Sequence, residues 1–233
     1  MKKLTIATMV ALTLSTTAVF ADVKAQSGGY VGGFAGWSFP FSPDYENSNG
    51  VNTSESDKNF TLGATLGYQY AFNDNVLLGV EASYLDFGKN DYKVNYKTTD
   101  VYGNLYTVNA AQTLKNSGLQ LMLVGTYLMN NGFNMFAKLG AIHETTNDSI
   151  GVTVTDSNSN SISRSRDYSV SSWLPAMAVG VGYMPIQNLN VALQYEHVFG
   201  EDWNDPNYTS NGYPDRPMAQ NVVTLGITYT IPL

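Results

Sequence analysis

The chain has 233 residues, the length of one domain, and 12 Lys and Arg against 19 Asp and Glu, for a formal net charge of -7. That acidic balance excludes the basic face that nucleic-acid binding requires. Cys is 0, which excludes disulfides and thiolate metal sites. Charged residues make up only 13% of the chain, while Tyr at 16 and Gly at 21 are abundant.

The N-terminus differs from the rest. Lys2 and Lys3 precede the apolar run Leu4–Phe20, and small residues then meet polar ones, the pattern of a secretory signal peptide. Residues 1–21 are assigned to it, with cleavage after Ala21 and Ala25 as the competing site. The competing reading is an uncleaved anchor helix, for which the Thr-rich run is short. No other apolar run is long enough for a transmembrane helix. Export without Cys fits a bacterial envelope protein.

From Gly29 to Phe39 the chain alternates: Val31, Gly33, Ala35, Trp37 and Phe39 share one face, Tyr30, Gly32, Phe34, Gly36 and Ser38 the other. Pro40 and Pro43 end this first strand, and the polar stretch Phe41–Asn59 reads as a loop. Phe60–Gly88 then reads as a long hairpin. Phe60, Leu62, Ala64, Leu66, Tyr68 and Tyr70 lie on one face, Asn73-Asp74-Asn75 supply the turn, and Leu78, Val80, Ala82 and Tyr84 continue that face on the return. The opposite face carries Gly67, Gln69, Gly79, Glu81 and Ser83. Large apolar residues on one side and Gly with polar residues on the other suit a narrow barrel whose apolar side faces lipid.

Lys89–Asn116 alternates around Tyr102-Gly103-Asn104 and reads as a hairpin extension clear of the membrane. Ser117–Met129 is the fourth strand, Asn130-Asn131-Gly132 a tight turn, and Phe133–Thr145 the return. Thr146–Asp167 is rich in Ser, Thr and Asn and reads as a loop. Tyr168–Met184 descends, Pro185–Asn188 turns, and Leu189–Phe199 ascends. Gly200–Met218 reads as a polar loop, and Ala219–Leu233 closes the chain. The expected fold is all-β, an eight-stranded antiparallel up-and-down transmembrane β-barrel occupying residues 22–233. Short turns near 73, 131 and 187 would line one rim, and long loops near 50, 100, 155 and 210 the other.

Outward aromatics sort by height. Tyr68, Tyr70, Tyr127, Phe133, Tyr183 and Tyr229 fall near the short-turn rim; Trp37, Tyr84, Trp173 and Tyr195 fall toward the long-loop rim. Two aromatic belts are therefore expected at the headgroups. On the inward register, Glu81, Lys138 and Glu196 lie at similar counts above their turns. A lone buried ammonium is strongly disfavoured, so Lys138 is expected to pair with Glu81, Glu196 or both.

Catalysis needs a nucleophile with a positioned base or a carboxylate pair near a His. The only two His, His143 and His197, fall on the outward register, and no such set forms around them. No cofactor or metal site is read. The carboxylates Asp44, Glu46, Asp148, Asp156, Glu201, Asp202 and Asp205 read as a solvated acidic surface, and Arg164 and Arg166 as solubilising loop charges.

The final stretch, Asn221 to Leu233, alternates through Val223, Leu225, Ile227, Tyr229, Ile231 and Leu233 to the last residue. It looks like the C-terminal assembly signal of outer-membrane barrels, with Leu233 where Phe is usual. Tyr30-Val31-Gly32, Gly36-Trp37, Leu66-Gly67-Tyr68-Gln69, Gly79-Val80-Glu81, Lys138-Leu139-Gly140 and Leu193-Gln194-Tyr195 come in the order found in the OmpA-like outer-membrane β-barrel family. The whole mature chain resembles that family, barrel domain only, without its periplasmic peptidoglycan-binding domain. The resemblance implies a Gram-negative outer-membrane barrel with both termini in the periplasm and long loops outside the cell. It also implies buried charge pairs, which Glu81 and Lys138 match, whereas Val124, Gly182 and Ala192 stand where charges would be expected.

The expected role is structural or surface-interacting, without catalysis. Expected partners are outer-membrane lipid, lipopolysaccharide, the barrel assembly machinery and a host or environmental ligand at the loops. One alternative is an adhesin. Another is a narrow pore or carrier for small apolar molecules, suggested by the inward set Phe34, Leu85, Met122, Val124 and Leu174.

Overall fold

The computed structural model describes residues 24–40, 52–54, 59–99, 102–129, 131–158, 160–200 and 217–233. The segment read as a signal peptide, residues 1–21, lies outside them. The strands are β1 (Gly28–Pro40), β2 (Asn52–Ser54), β3 (Asn59–Ala71), β4 (Val76–Thr99), β5 (Leu105–Leu128), β6 (Phe133–Asp156), β7 (Ser161–Ile186), β8 (Leu189–Val198) and β9 (Gln220–Pro232). All but β2 form one ring, β1-β3-β4-β5-β6-β7-β8-β9 and back to β1, with every pairing antiparallel.

The register fixes the shape of the ring. A line through directly opposed residues leaves Tyr30 and passes Gly67, Glu81, Met122, Gly140, Ala176, Val198 and Gln220. It returns to β1 at Pro40, ten residues beyond Tyr30. Eight strands about 4.8 Å apart, with a rise of about 3.3 Å per residue and a stagger of ten, must tilt by roughly 40° from the axis. Each step along such a line therefore climbs about 3 Å.

Local chemistry sets the turns. The Asn73 side chain accepts the backbone N–H groups of Asn75 and Val76, both at 2.9 Å, which closes the β3–β4 turn. At the β5–β6 turn Gly132 has φ 80°, the left-handed region open to glycine. Gly88, φ 78°, sits in the register shift between Asp86 and Lys89, where its N–H donates to the Asp86 side chain at 2.8 Å. This bulge marks the level at which β4 leaves the ring.

Above that level the molecule departs from the expected loops. β1, β3, β8 and β9 stop at Pro40, Asn59, Val198 and Gln220, but β4 to β7 continue as a four-stranded ribbon. The extension read over Lys89–Asn116 is β4 and β5 running on to Thr99 and from Leu105. The loop read over Thr146–Asp167 is a correction: β6 runs to Asp156 and β7 starts at Ser161. Composition misled here, because Thr and Ser pair well across strands as well as filling loops. The hydroxyls of Thr145 and Ser171 meet at 2.8 Å, and those of Thr153 and Ser163 at 2.9 Å. A second correction concerns Phe41–Asn59, which contains β2, paired with β4 at Asn95, Val94 and Lys93.

The outer face of the ring is apolar. Leu66, Val80, Leu123, Leu139, Val179, Leu193, Leu225 and Ile227 are all exposed. Arg at Val179 or Leu193, which are 57% and 51% exposed, should destabilise the protein by about 2–4 kcal/mol in a bilayer. Urea unfolding in lipid vesicles measures this; no change at either position would place the face in water.

Candidate functional site

The lumen is filled in layers. At the short-turn end Leu77, Leu128 and Met184 form an apolar floor, with Ala25 and Ala71 packed against it. Above it lies a polar layer. Lys138 Nζ stands 2.7 Å from Glu81 Oε1, and the Tyr30 hydroxyl donates to Glu81 Oε2 at 3.0 Å. Ser83 donates to Glu81 at 3.2 Å, and the ammonium lies 5.2 Å from the centre of the Phe136 ring. The gaps in this half of the lumen amount to about 110 Å³.

Glu196 does not join this pair; Gln120 and Gln194 donate to its two oxygens. Counting residues above each turn put all three charges level, but such a count ignores the stagger. The register line from Glu81 reaches Gly140 after two climbing steps, and Lys138 lies two residues lower, level with Glu81 again. The line from Lys138 runs through Ala178 to Glu196 without that compensation, which places Glu196 about 6 Å higher.

Next comes an apolar plug of Leu85, Phe87, Met122, Ile142, Leu174, Ala176, Val198 and Val222, with Phe34 and Val124 packed against it. Above the plug, Gln220 donates to both oxygens of Glu144, each at 3.0 Å. Sequence reasoning missed Glu144, Gln220, Gln120 and the Tyr30 hydroxyl. Parity could have found them, since Glu144 shares the inward register of Lys138.

The remaining sequence candidates are placed as follows. Trp37, Tyr68, Tyr70, Tyr84, Tyr127, Trp173, Tyr195 and Tyr229 are exposed on the outer face, with Ile231 and Leu233 at the end of the chain. Tyr183 is half-buried against Phe133, ring centres 4.9 Å apart. His143 packs edge-on against Trp173 at 5.2 Å, and His197 against Phe199 at 4.4 Å. Asp44, Glu46, Glu201, Asp202 and Asp205 lie outside the described residues.

Asp148 is a correction to the solvated acidic surface: it is buried in the ribbon and accepts from Gln112 at 2.7 Å. Burial holds its carboxyl above the ordinary range, and the Gln112 bond opposes the rise. Asp156 closes the β6–β7 turn; hydrogen bonds from the Asn160 side chain, then from the Asn160 and Asn158 backbone, hold it below that range. Arg164 and Arg166 lie on β7, not in a loop.

The OmpA-like transmembrane domain model matches residues 24–231. The chain belongs to the OmpA-like transmembrane domain family. It is a β-barrel of the Gram-negative outer membrane, and its apolar outer face sits in lipid. Among solved structures, this OmpA-like barrel is similar to the attachment invasion locus protein Ail of Yersinia pestis in complex with the heparin analogue sucrose octasulfate. Identity is 13%, over 88% of this chain and 99% of that one, with a TM-score of 0.37. Neisserial surface protein A is 11% identical over 89% of this chain and 99% of that one, TM-score 0.39. OprG from Pseudomonas aeruginosa is 20% identical over 91% and 98%, TM-score 0.37. No curated protein sequence matches the chain.

In this OmpA-like barrel, Lys138→Met would leave Glu81 as an uncompensated carboxylate beside the plug. The loss should be about 3 kcal/mol. Adding Glu81→Gln should recover much of it. Denaturant unfolding in detergent tests this, and an unchanged midpoint for Lys138→Met alone would show that the pair does not hold the lumen.

Proposed function

We propose that this barrel is a non-catalytic surface protein, a filled post in the outer membrane that holds the four-stranded ribbon outside the cell. The observation that carries this is the continuation of β4 to β7 beyond the ring. Short turns at Asn73, Asn131 and Asn188 then face the periplasm. Catalysis has no support in the geometry, since both His pack against aromatic rings on the outer register. The apolar floor and plug argue against the narrow-pore or carrier reading. The outward aromatics suit the headgroups of lipid and lipopolysaccharide. The ribbon is the surface on which an adhesin would meet a host or environmental ligand.

Cutting both ribbon hairpins back to the barrel rim provides the test. The shortened barrel should still shift in apparent mass on heating in detergent, show no single-channel steps in planar bilayers, and lose binding to host cells or surfaces. Binding equal to that of the full chain would overturn the surface-interaction reading, and regular conductance steps would favour the pore.

The last strand supports a second proposal about assembly. Tyr229, Ile231 and Leu233 line the outer face at the end of the chain, where the assembly machinery would read them. Tyr229→Asp should lower the amount reaching the outer membrane, while Leu233→Phe should leave it equal or higher. Normal assembly of Tyr229→Asp would remove the assignment.

A further inference from the structure

Six buried side-chain oxygens among the described residues have no hydrogen-bond partner. Three of them, Asn116 Oδ1, Thr146 Oγ1 and Asp148 Oδ1, fall on neighbouring positions of one face. Asn116 and Thr146 are directly opposed across the β5–β6 ladder, and Asp148 follows Thr146 by two residues. All three share the inward register of Gln120 and Lys138, at the base of the ribbon. Directly opposed Cβ atoms lie about 5 Å apart, and same-face neighbours along a strand about 6.6 Å. Side chains of this length span such gaps.

The positions are well covered. Asn116 and Thr146 are each 6% exposed, and Asp148 is 7% exposed. An oxygen buried without a partner is costly, so three side by side call for a common one. The partners of Asp148 turn its free oxygen toward the other two. Gln112 and Asn116 flank Leu114, the residue opposite Asp148. Gln112 donates to Oδ2 at 2.7 Å, which leaves Oδ1 for the Asn116 side.

The donor set is a carboxylate, an amide carbonyl and a hydroxyl, all hard oxygens suited to a hard cation. A second carboxylate, Glu144, lies two residues below Thr146 on the same face. The partners of both carboxylates among the described residues are uncharged amides, Gln112 for Asp148 and Gln220 for Glu144. Two negative charges, each one same-face step from Thr146, favour a divalent ion. Ca²⁺ accepts amide and hydroxyl oxygens in irregular geometry, whereas Mg²⁺ demands a near-ideal octahedron and keeps its waters. A bound water could satisfy the hydrogen bonds but would leave the charge of Asp148 uncompensated. Burial already holds that carboxyl above its ordinary range, and only an uncharged amide opposes the rise.

We propose that Asn116, Thr146 and Asp148 bind one calcium ion at the base of the ribbon, with waters completing its shell and Glu144 adding its charge from below. The site goes beyond the surface-interaction reading and does not rest on it. One directly coordinating carboxylate places it in the weak class, with a Kd of about 0.1–1 mM.

The probe is calcium chloride, titrated into the full-length barrel refolded in detergent free of lipopolysaccharide. The temperature at which the folded form loses its fast mobility should rise with calcium, and not with sodium chloride at equal ionic strength. Asp148→Asn and Thr146→Val should each weaken calcium binding by about tenfold in calorimetric titration. If these variants fail to fold, NMR of the unaltered protein decides: the side-chain amide of Asn116 and the backbone amides of Thr146 and Asp148 should shift together as calcium is added. Absence of a calcium-specific rise overturns the proposal. So does an equal rise in both folded variants, or a titration that leaves those three signals in place; either result assigns the ion to carboxylates elsewhere on the chain and the three oxygens to a water.

Discussion

Hydrocarbon offers nothing to hydrogen-bond a peptide group, so a sheet in a membrane has to close on itself. The rest of this molecule depends on that closure. The β1–β9 ladder seals the ring over thirteen directly opposed pairs, Gly28 with Pro232 through Pro40 with Gln220. A stagger of ten then sets the tilt and the bore, and the bore decides what fits inside. Eight tilted strands leave room for side chains but not for an open channel.

The lumen shows how that space is filled. Carboxylates at three heights are each met by donors, Glu81 by Lys138 and Tyr30, Glu196 by Gln120 and Gln194, and Glu144 by Gln220. Apolar side chains lie between the upper layers. Removal of Lys138 alone leaves Glu81 without its counter-charge, which is more damaging than removing both members of the pair. The floor and plug thus bound the Glu81–Lys138 layer below and above.

Much of the ring could be read from residues alone because the side-chain period of two is strict. One register slip would carry Leu66, Val80 and Leu193 into the lumen and Glu81 into lipid. Turns at Asn73 and Gly132 were legible for the same local reasons. What escaped was height. Glu196 looked level with Lys138 because turns on different strands sit at different levels in a staggered barrel, and no single strand records the stagger. The β4–β5 half of the ribbon was legible as a hairpin extension, but the β6–β7 half escaped for another reason. Thr153 and Ser163 carry the composition of a loop, and only the hydroxyl partner across the strand reveals them as a ladder.

The continuity of β4 to β7 also determines how the protein bears load. A pull on the turn at Asp156 and Asn160 runs along two covalent strands that pass without a break through the bulk of the barrel. It meets the ladders lengthwise, so the many hydrogen bonds between β5, β6 and β7 are stressed together rather than opened one at a time. A flexible loop on the same rim would stretch first and transmit force only when taut. This ribbon is taut from the start, a mast stepped into a solid hull.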